Sequence, residues 1–356
     1  MTHNTTQSHD ILWINTLKAA CIFLVVLYHV TLPGFTNTIP FLTSGKDIAN
    51  LWTLLNKYLE PYRMPAFFFI SGFLSYKSVK FRSWTELSTG RLGNLLYLYI
   101  LWNIIQWALV YLITTEISGE RISTNTNAIY SSSFMNLVTL SFLGMSSSWY
   151  LYALFLYLLL EKIFRNHTHL LFCIAIVIHY IATLKIIPYW GPQSLLKYFI
   201  FFHVGLNHSS LIISLSNIRI NNFKSWILLV SGAMIHRMLG INNNCFESLL
   251  GIIISIYIFR IINSNFKLQR INEFGRLTLP IYVIHRILIE LLGMLTIQYV
   301  FSNQLFNSPY FSIIWSSGYP IVMTLLCSVI SLALWKVINN GKGQWLFGIK
   351  KLNNQN

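Results

Sequence analysis

The chain has 356 residues, of which 54% are hydrophobic and only 10% charged, against about a quarter charged in ordinary soluble domains. That balance excludes a water-soluble globular enzyme. A formal charge of +15 raises nucleic acid as a partner, but the basic residues fall in short clusters between apolar runs rather than on one stripe or tail, so membrane topology accounts for them and nucleic acid does not.

Apolar runs near the roughly 20 residues needed to cross a bilayer recur from 11 to 338. They predict spans over 11–33, 51–76, 93–115, 146–164, 169–187, 193–213, 224–240, 245–262, 277–300 and 310–338. The expected fold is all-α, a polytopic membrane protein of about ten transmembrane helices. Residues 1–10 read as a polar tail, 11–338 as a single transmembrane domain and 339–356 as a C-terminal tail. No Lys or Arg occurs in the first ten residues, so the first span is expected to be retained rather than cleaved as a signal peptide.

Alternate connections separate by charge. One set holds Lys77, Lys80, Arg82, Arg91, Lys162, Arg165, Arg219, Lys224, Arg260, Lys267, Arg270, Arg276, Lys336, Lys342, Lys350 and Lys351, sixteen of the 25 basic residues. The other set offers little beyond Lys46, Arg121, Lys185 and Arg237, which by the positive-inside rule puts both termini in the cytoplasm. The longest connection on the outer side, 116–148, is rich in Ser, Asn and Thr, and reads as a partly ordered cap or a passive loop. Cys21, Cys173, Cys245 and Cys327 are widely separated, so neither a disulfide framework nor a metal site is expected.

Within the first span, LKAACIFLVVLYHV (17–30) holds two side chains that hydrocarbon disfavours. Lys18 and His29 are eleven residues apart, hence within roughly 20° of one helix face and about 16 Å apart along the axis. Their shared face points to a polar cavity or a partner, because a charge at the helix centre costs roughly 2.5–3.5 kcal/mol on insertion scales. In the second span Pro61 and Pro65 should break or kink the helix, leaving Arg63 between them as a fixed cation, and Ser71-Gly72 permits close helix approach. Phe67, Phe68 and Phe69 read as packing or lipid-facing surface. Trp149 and Tyr150 read as an interfacial aromatic belt. Near the C-terminus His285 is a second polar-interior candidate, and Arg286 and Glu290, four apart, can pair. His179, His203, His208 and His236 lie at or near span ends and take no role from position.

Taken in order, Lys18-x10-His29, RMPAFFFISGFL, SSWYLYALFLY, YFIFFHVGL and GRLTLPIYVIHRILIELL resemble the acyltransferase-3 family of integral membrane O-acyltransferases. The resemblance covers nearly the whole chain and is greatest to stand-alone members of the bacterial inner membrane. Lys18 stands where that family has Arg, which loses the bidentate fork but keeps the charge, and Asn15 stands in place of an acidic residue.

The resemblance implies an acyl-CoA donor, acetyl-CoA above all, on the cytoplasmic side. It further implies an acceptor hydroxyl on a glycan or lipid-linked saccharide outside, with membrane lipid around the bundle and no metal. His29 is then expected to be catalytic, as general base or by transient acylation, with Arg63, Ser71 or His285 answering the oxyanion. Lys18, Arg63 and Ser71 are expected to bind the donor. Two rivals use the same residues: a saccharide or lipid transporter with charges along its pathway, and a sensor or scaffold that has lost transfer.

Overall fold

The computed structural model describes residues 3–217 and 223–349; Arg219, Lys350 and Lys351 lie outside the described residues. The described residues contain no strand. Fifteen helices follow in chain order: α1 (His3–Val30), α2 (Lys46–Tyr58), α3 (Glu60–Lys80), α4 (Trp84–Leu87), α5 (Gly93–Ser118), α6 (Phe134–Phe142), α7 (Trp149–Ile163), α8 (Thr168–Thr183), α9 (Trp190–Asn207), α10 (Ser209–Leu215), α11 (Phe223–Met238), α12 (Cys245–Asn265), α13 (Gln269–Arg276), α14 (Thr278–Ser302) and α15 (Pro309–Ile338). Five helical stretches are long and apolar enough to cross a bilayer: Leu12–Phe41, Trp84–Ser118, Cys245–Asn265, Thr278–Ser302 and Pro309–Ile338. A sixth is made if α9 and α10, which meet at 85°, count as one broken span.

Local chemistry explains the breaks. Leu32 is extended (φ −120, ψ 127) because the ring of Pro33 disfavours helical backbone in the residue before it. Ser308 caps α15 through the amide of Phe311, with Pro309 in the first turn, where its missing N–H costs nothing. The second span, expected as one helix over 51–76, is two: the chain breaks at Leu59, and Pro61 sits in the first turn of α3. Pro65 is accommodated inside that helix. α2 is therefore a separate amphipathic helix, with Lys46, Asp47 and Lys57 on a segment that also exposes Leu51, Leu54 and Tyr58.

α3 and α9 form the most intimate pair in the bundle. In lipid, helices gain little by burying apolar surface against each other, and close packing of small residues drives their association. A Cβ on Gly72 would lie 2.0 Å from the Phe202 carbonyl oxygen, and one on Gly205 would lie 2.0 Å from that of Phe69. The two backbones are thus in reciprocal contact. Phe68 and Phe69 are fully buried at this seam, so the phenylalanine triple is packing surface. Phe68 is ringed by Trp149, Tyr150, Tyr157 and Tyr198.

The 116–148 connection does not lie passively over the bundle. After α5 ends at Gly119 (φ 72), the chain turns back and descends along α5. Trp107 Nε1 donates to the Ser131 carbonyl (3.0 Å), Tyr99 Oη to the Ser141 carbonyl (2.5 Å), and Ser148 Oγ to Gln106 Oε1 (3.1 Å). Tyr99 is only six residues, about 9 Å, from the start of α5. The segment is re-entrant, and α7 begins inside the bundle. Trp149 and Tyr150 are consequently interior residues and not an interfacial belt: the Tyr150 amide donates to Tyr282 Oη (3.1 Å) and its hydroxyl meets Ser71 Oγ (2.5 Å).

The segment is pinned by an ion pair. Arg286, 7% exposed, meets Glu290 at 2.6 Å and donates to Tyr130 Oη at 2.6 Å, and Tyr130 in turn donates to Glu290. Arg121 holds the same turn through the carbonyls of Ser131 and Ser132.

Two outcomes are expected. Gly72→Val should cost at least about 1–3 kcal/mol by overpacking, read as early thermal aggregation in detergent; a variant melting with the parent would refute the seam. Glu290→Ala leaves a buried guanidinium without its carboxylate, a loss of about 3–5 kcal/mol. Trypsin should then cut at Arg121 faster than in the parent, and equal cleavage would show that the pair does not hold the segment.

Candidate functional site

α1 carries Lys18 and His29 on one face, and the two end in different surroundings. His29 packs its ring against His285 of α14, with centroids 5.4 Å apart and planes at 40°. Tyr28 presents its edge to the same imidazole at 5.0 Å. Besides the His285 ring in contact with it, the charges of Arg286 and Arg63 act on His29. Arg63, 6% exposed, lies over the Tyr28 ring at 4.3 Å and donates to Asn56 Oδ1 at 2.8 Å. Three helices, α1, α3 and α14, thus bring together His29, Arg63 and His285, all chosen from sequence, and add Arg286.

Hydrogen-bond accounting says what this cluster offers. His285 Nδ1 lies 3.0 Å from the Ile281 carbonyl. A carbonyl only accepts, so Nδ1 carries the proton and Nε2 of the neutral ring is left as a lone-pair acceptor. That Nε2 is buried and unpartnered. Arg286 spends Nη2 on Glu290 and Tyr130, whereas its Nε–H is also buried without a partner. An unsatisfied buried polar atom costs about 1–3 kcal/mol. Here two lie on consecutive residues of α14 beside the His29–His285 contact, one able to accept and one able to donate a hydrogen bond.

Below this cluster runs a narrow cavity of about 160 Å³ between α1, α3, α5, α7 and α14. Lys18, Leu74 and Thr278 line one end, and Val25, Met64 and Tyr282 the other. Val25 is one helical turn before His29, and the Tyr282 ring lies 6.1 Å from that of His285. The crevice therefore starts at the ammonium and stops about one turn short of the imidazole. Its walls are mostly apolar, with a hydroxyl pair, Ser71 and Tyr150, set into them. Two hydroxyls sharing one hydrogen bond keep one O–H to donate, and both residues face the cavity. Ser71 lies eight residues, about 12 Å, along α3 from Arg63, so it serves the cavity wall and not the histidine pair. Arg276 is the cation whose charge acts on Lys18.

Sequence reasoning passed over Tyr282, read Tyr150 as an interfacial belt, and expected of Arg286 only the pair with Glu290 that it does make. The one available signal was Ser146-Ser147-Ser148 ahead of Trp149, an odd run for a lipid interface; Ser146 and Ser148 are fully buried. Among the other histidines, His203 is sealed in the α7–α9 contact, with Nδ1 2.7 Å from Glu161. That pair lines neither the cavity nor the His29 cluster.

The description "Acyltransferase domain", that of the acyltransferase-3 family, matches residues 11–335. The inner membrane protein YcfT of Escherichia coli (strain K12) is 26% identical to this chain, over 94% of it and 95% of the relative. No solved structure matches. A match running from the first apolar helix, with its Lys18 and His29, through α14 and nearly to the end of α15 is a match to the whole bundle, and the chain belongs to the acyltransferase-3 family.

Proposed function

We propose that the protein is an inner-membrane O-acyltransferase that moves an acyl group, acetyl in the first instance, from acyl-CoA on the cytoplasmic side to a hydroxyl of an extracytoplasmic glycan or lipid-linked saccharide. In this reading about ten spans cross the membrane and both termini are cytoplasmic. The alternation of basic and nearly uncharged connections supports that topology, and the relative's inner-membrane description supports the location.

One observation carries the chemistry: an unpaired acceptor on His285, whose ring contacts His29, is followed on α14 by an unpaired donor on Arg286. The thioester arm enters past Lys18 and lies in the narrow cavity, its amides meeting the Ser71–Tyr150 hydroxyl pair. At the far end His29 takes the proton of the acceptor hydroxyl as the oxygen attacks the thioester carbonyl carbon. His285 packs against His29 and holds its Nε2 lone pair for the acceptor hydroxyl. Arg286 Nε–H, fixed by Glu290 and Tyr130, donates to the developing oxyanion. Collapse breaks the carbon–sulfur bond; the proton held by His29 passes to the departing thiolate, leaving an ester and free CoA thiol. Arg63, bound to Asn56, adds positive field at the same end.

With membranes supplied with radiolabelled acetyl-CoA, His29→Ala should lower transfer by about 10²–10⁴ while insertion and folding persist. Parental label incorporation by that variant would end the assignment. Lys18→Arg should keep activity, and Lys18→Ala should raise the KM for donor more than it lowers kcat. Arg286→Lys keeps a charge but loses the planar donor, and about 10²–10³ in kcat should go with it.

A further inference from the structure

We infer that a second, larger cleft at the basic end of the bundle, between the start of α1 and the α12–α13 turn, is the seat of an adenine nucleotide, the head of the same acyl-CoA whose arm occupies the narrow cavity. The inference rests on the acyl-CoA reading above and deepens it.

The cleft encloses about 510 Å³ and is walled mainly by polar side chains. Asn265, Phe266, Lys267, Gln269, Glu273 and Arg276 line it, with Gln269 Nε2 donating to Glu273 Oε1 at 3.3 Å. Phe266 is 64% exposed, an aromatic face set among amides and cations. The parts suit a nucleotide: a flat ring on which a base stacks, the Asn265 amide that matches the donor–acceptor edge of adenine, and two cations for its phosphates, against one carboxylate, Glu273, which is held by Gln269.

Position favours the same ligand. Arg276 lines the cleft and is close enough to Lys18, which lines the narrow cavity, for the two charges to act on each other. Thr278 and Leu279, just beyond Arg276, form part of the cavity wall. A wide polar space therefore abuts a thin apolar one across a pair of cations, the outline of a nucleotide carrying a slender arm. Of the 77–91 connection, Lys80 reaches the Arg165 carbonyl, whereas Arg91 donates to the carbonyl of Leu74, at the Lys18 end of the narrow cavity, and adds a third cation to that mouth.

The test uses the purified full-length protein in detergent, with adenosine 3′,5′-bisphosphate as the probe of the head alone. Calorimetry should show binding to the parent, weakened about tenfold by Phe266→Ala and by Lys267→Ala, in line with the cost of losing one stacking or phosphate contact. Phe266→Tyr keeps the ring and should bind as the parent. In transfer assays the two alanine variants should raise the KM for acetyl-CoA about tenfold, leaving kcat unchanged. The KM for acetyl-phosphopantetheine, which lacks the nucleotide, should not move. The cleft assignment fails if the parent does not bind the bisphosphate, if both alanine variants bind it normally, or if the KM for the two donors rises together. Bisphosphate binding without transfer from any acyl-CoA would instead keep the head site and sink the acyl-transfer reading.

Discussion

A guanidinium inside a membrane bundle cannot be answered by hydrocarbon, so it pairs with other polar groups of the protein or faces a polar cavity. Arg286 is that group. Its own helix supplies Glu290 one turn later, and the remaining direction is filled by Tyr130, which arrives from a distant polar connection. Satisfying one cation thus requires Ser- and Asn-rich chain to enter the bundle. The carbonyls and hydroxyls that enter with it need donors and acceptors in turn, and Trp107, Tyr99 and Gln106 of α5 provide them. From this descent follows the depth at which α7 starts, and from that depth the placing of Tyr150 against Ser71 and Tyr282.

The same stretch of α14 performs three separate tasks. Tyr282 closes the narrow cavity, His285 meets His29, and Arg286 ties down the re-entrant segment while keeping one N–H unspent. Tyr282 and Arg286 are four apart and so share a face, while His285 lies about a quarter-turn away. Stability and chemistry compete here: the ion pair and Tyr130 immobilise the side chain, yet two polar atoms stay unpaired beside the His29–His285 contact. In the proposed mechanism the scaffold is fully bonded on the Glu290 side and deliberately incomplete on the other. A cavity approaches the histidines from the Lys18 end.

Sequence by itself determined that the chain is an all-helical membrane protein, since runs of apolar residues at bilayer length admit no other structure once every backbone group must be bonded internally. It also determined that Lys18 and His29 share a face of α1, a matter of helical geometry alone, and it selected His285, Arg63 and Ser71 by the cost of polar groups in hydrocarbon. The break before α3 was legible from Pro61, although its position at Leu59, and the independence of α2, were not.

Only the tertiary structure decided which of these residues meet. That His29 and His285 touch, that Ser71 serves the cavity wall rather than the histidines, and that Trp149 and Tyr150 face inward depend on contacts between positions far apart in the chain, about which local periodicity is silent. A polar segment such as 116–148 carries no apolar pattern to betray that it folds into the bundle; it goes there because a buried charge on another helix needs its tyrosine, and such a demand is visible only when both partners are in place.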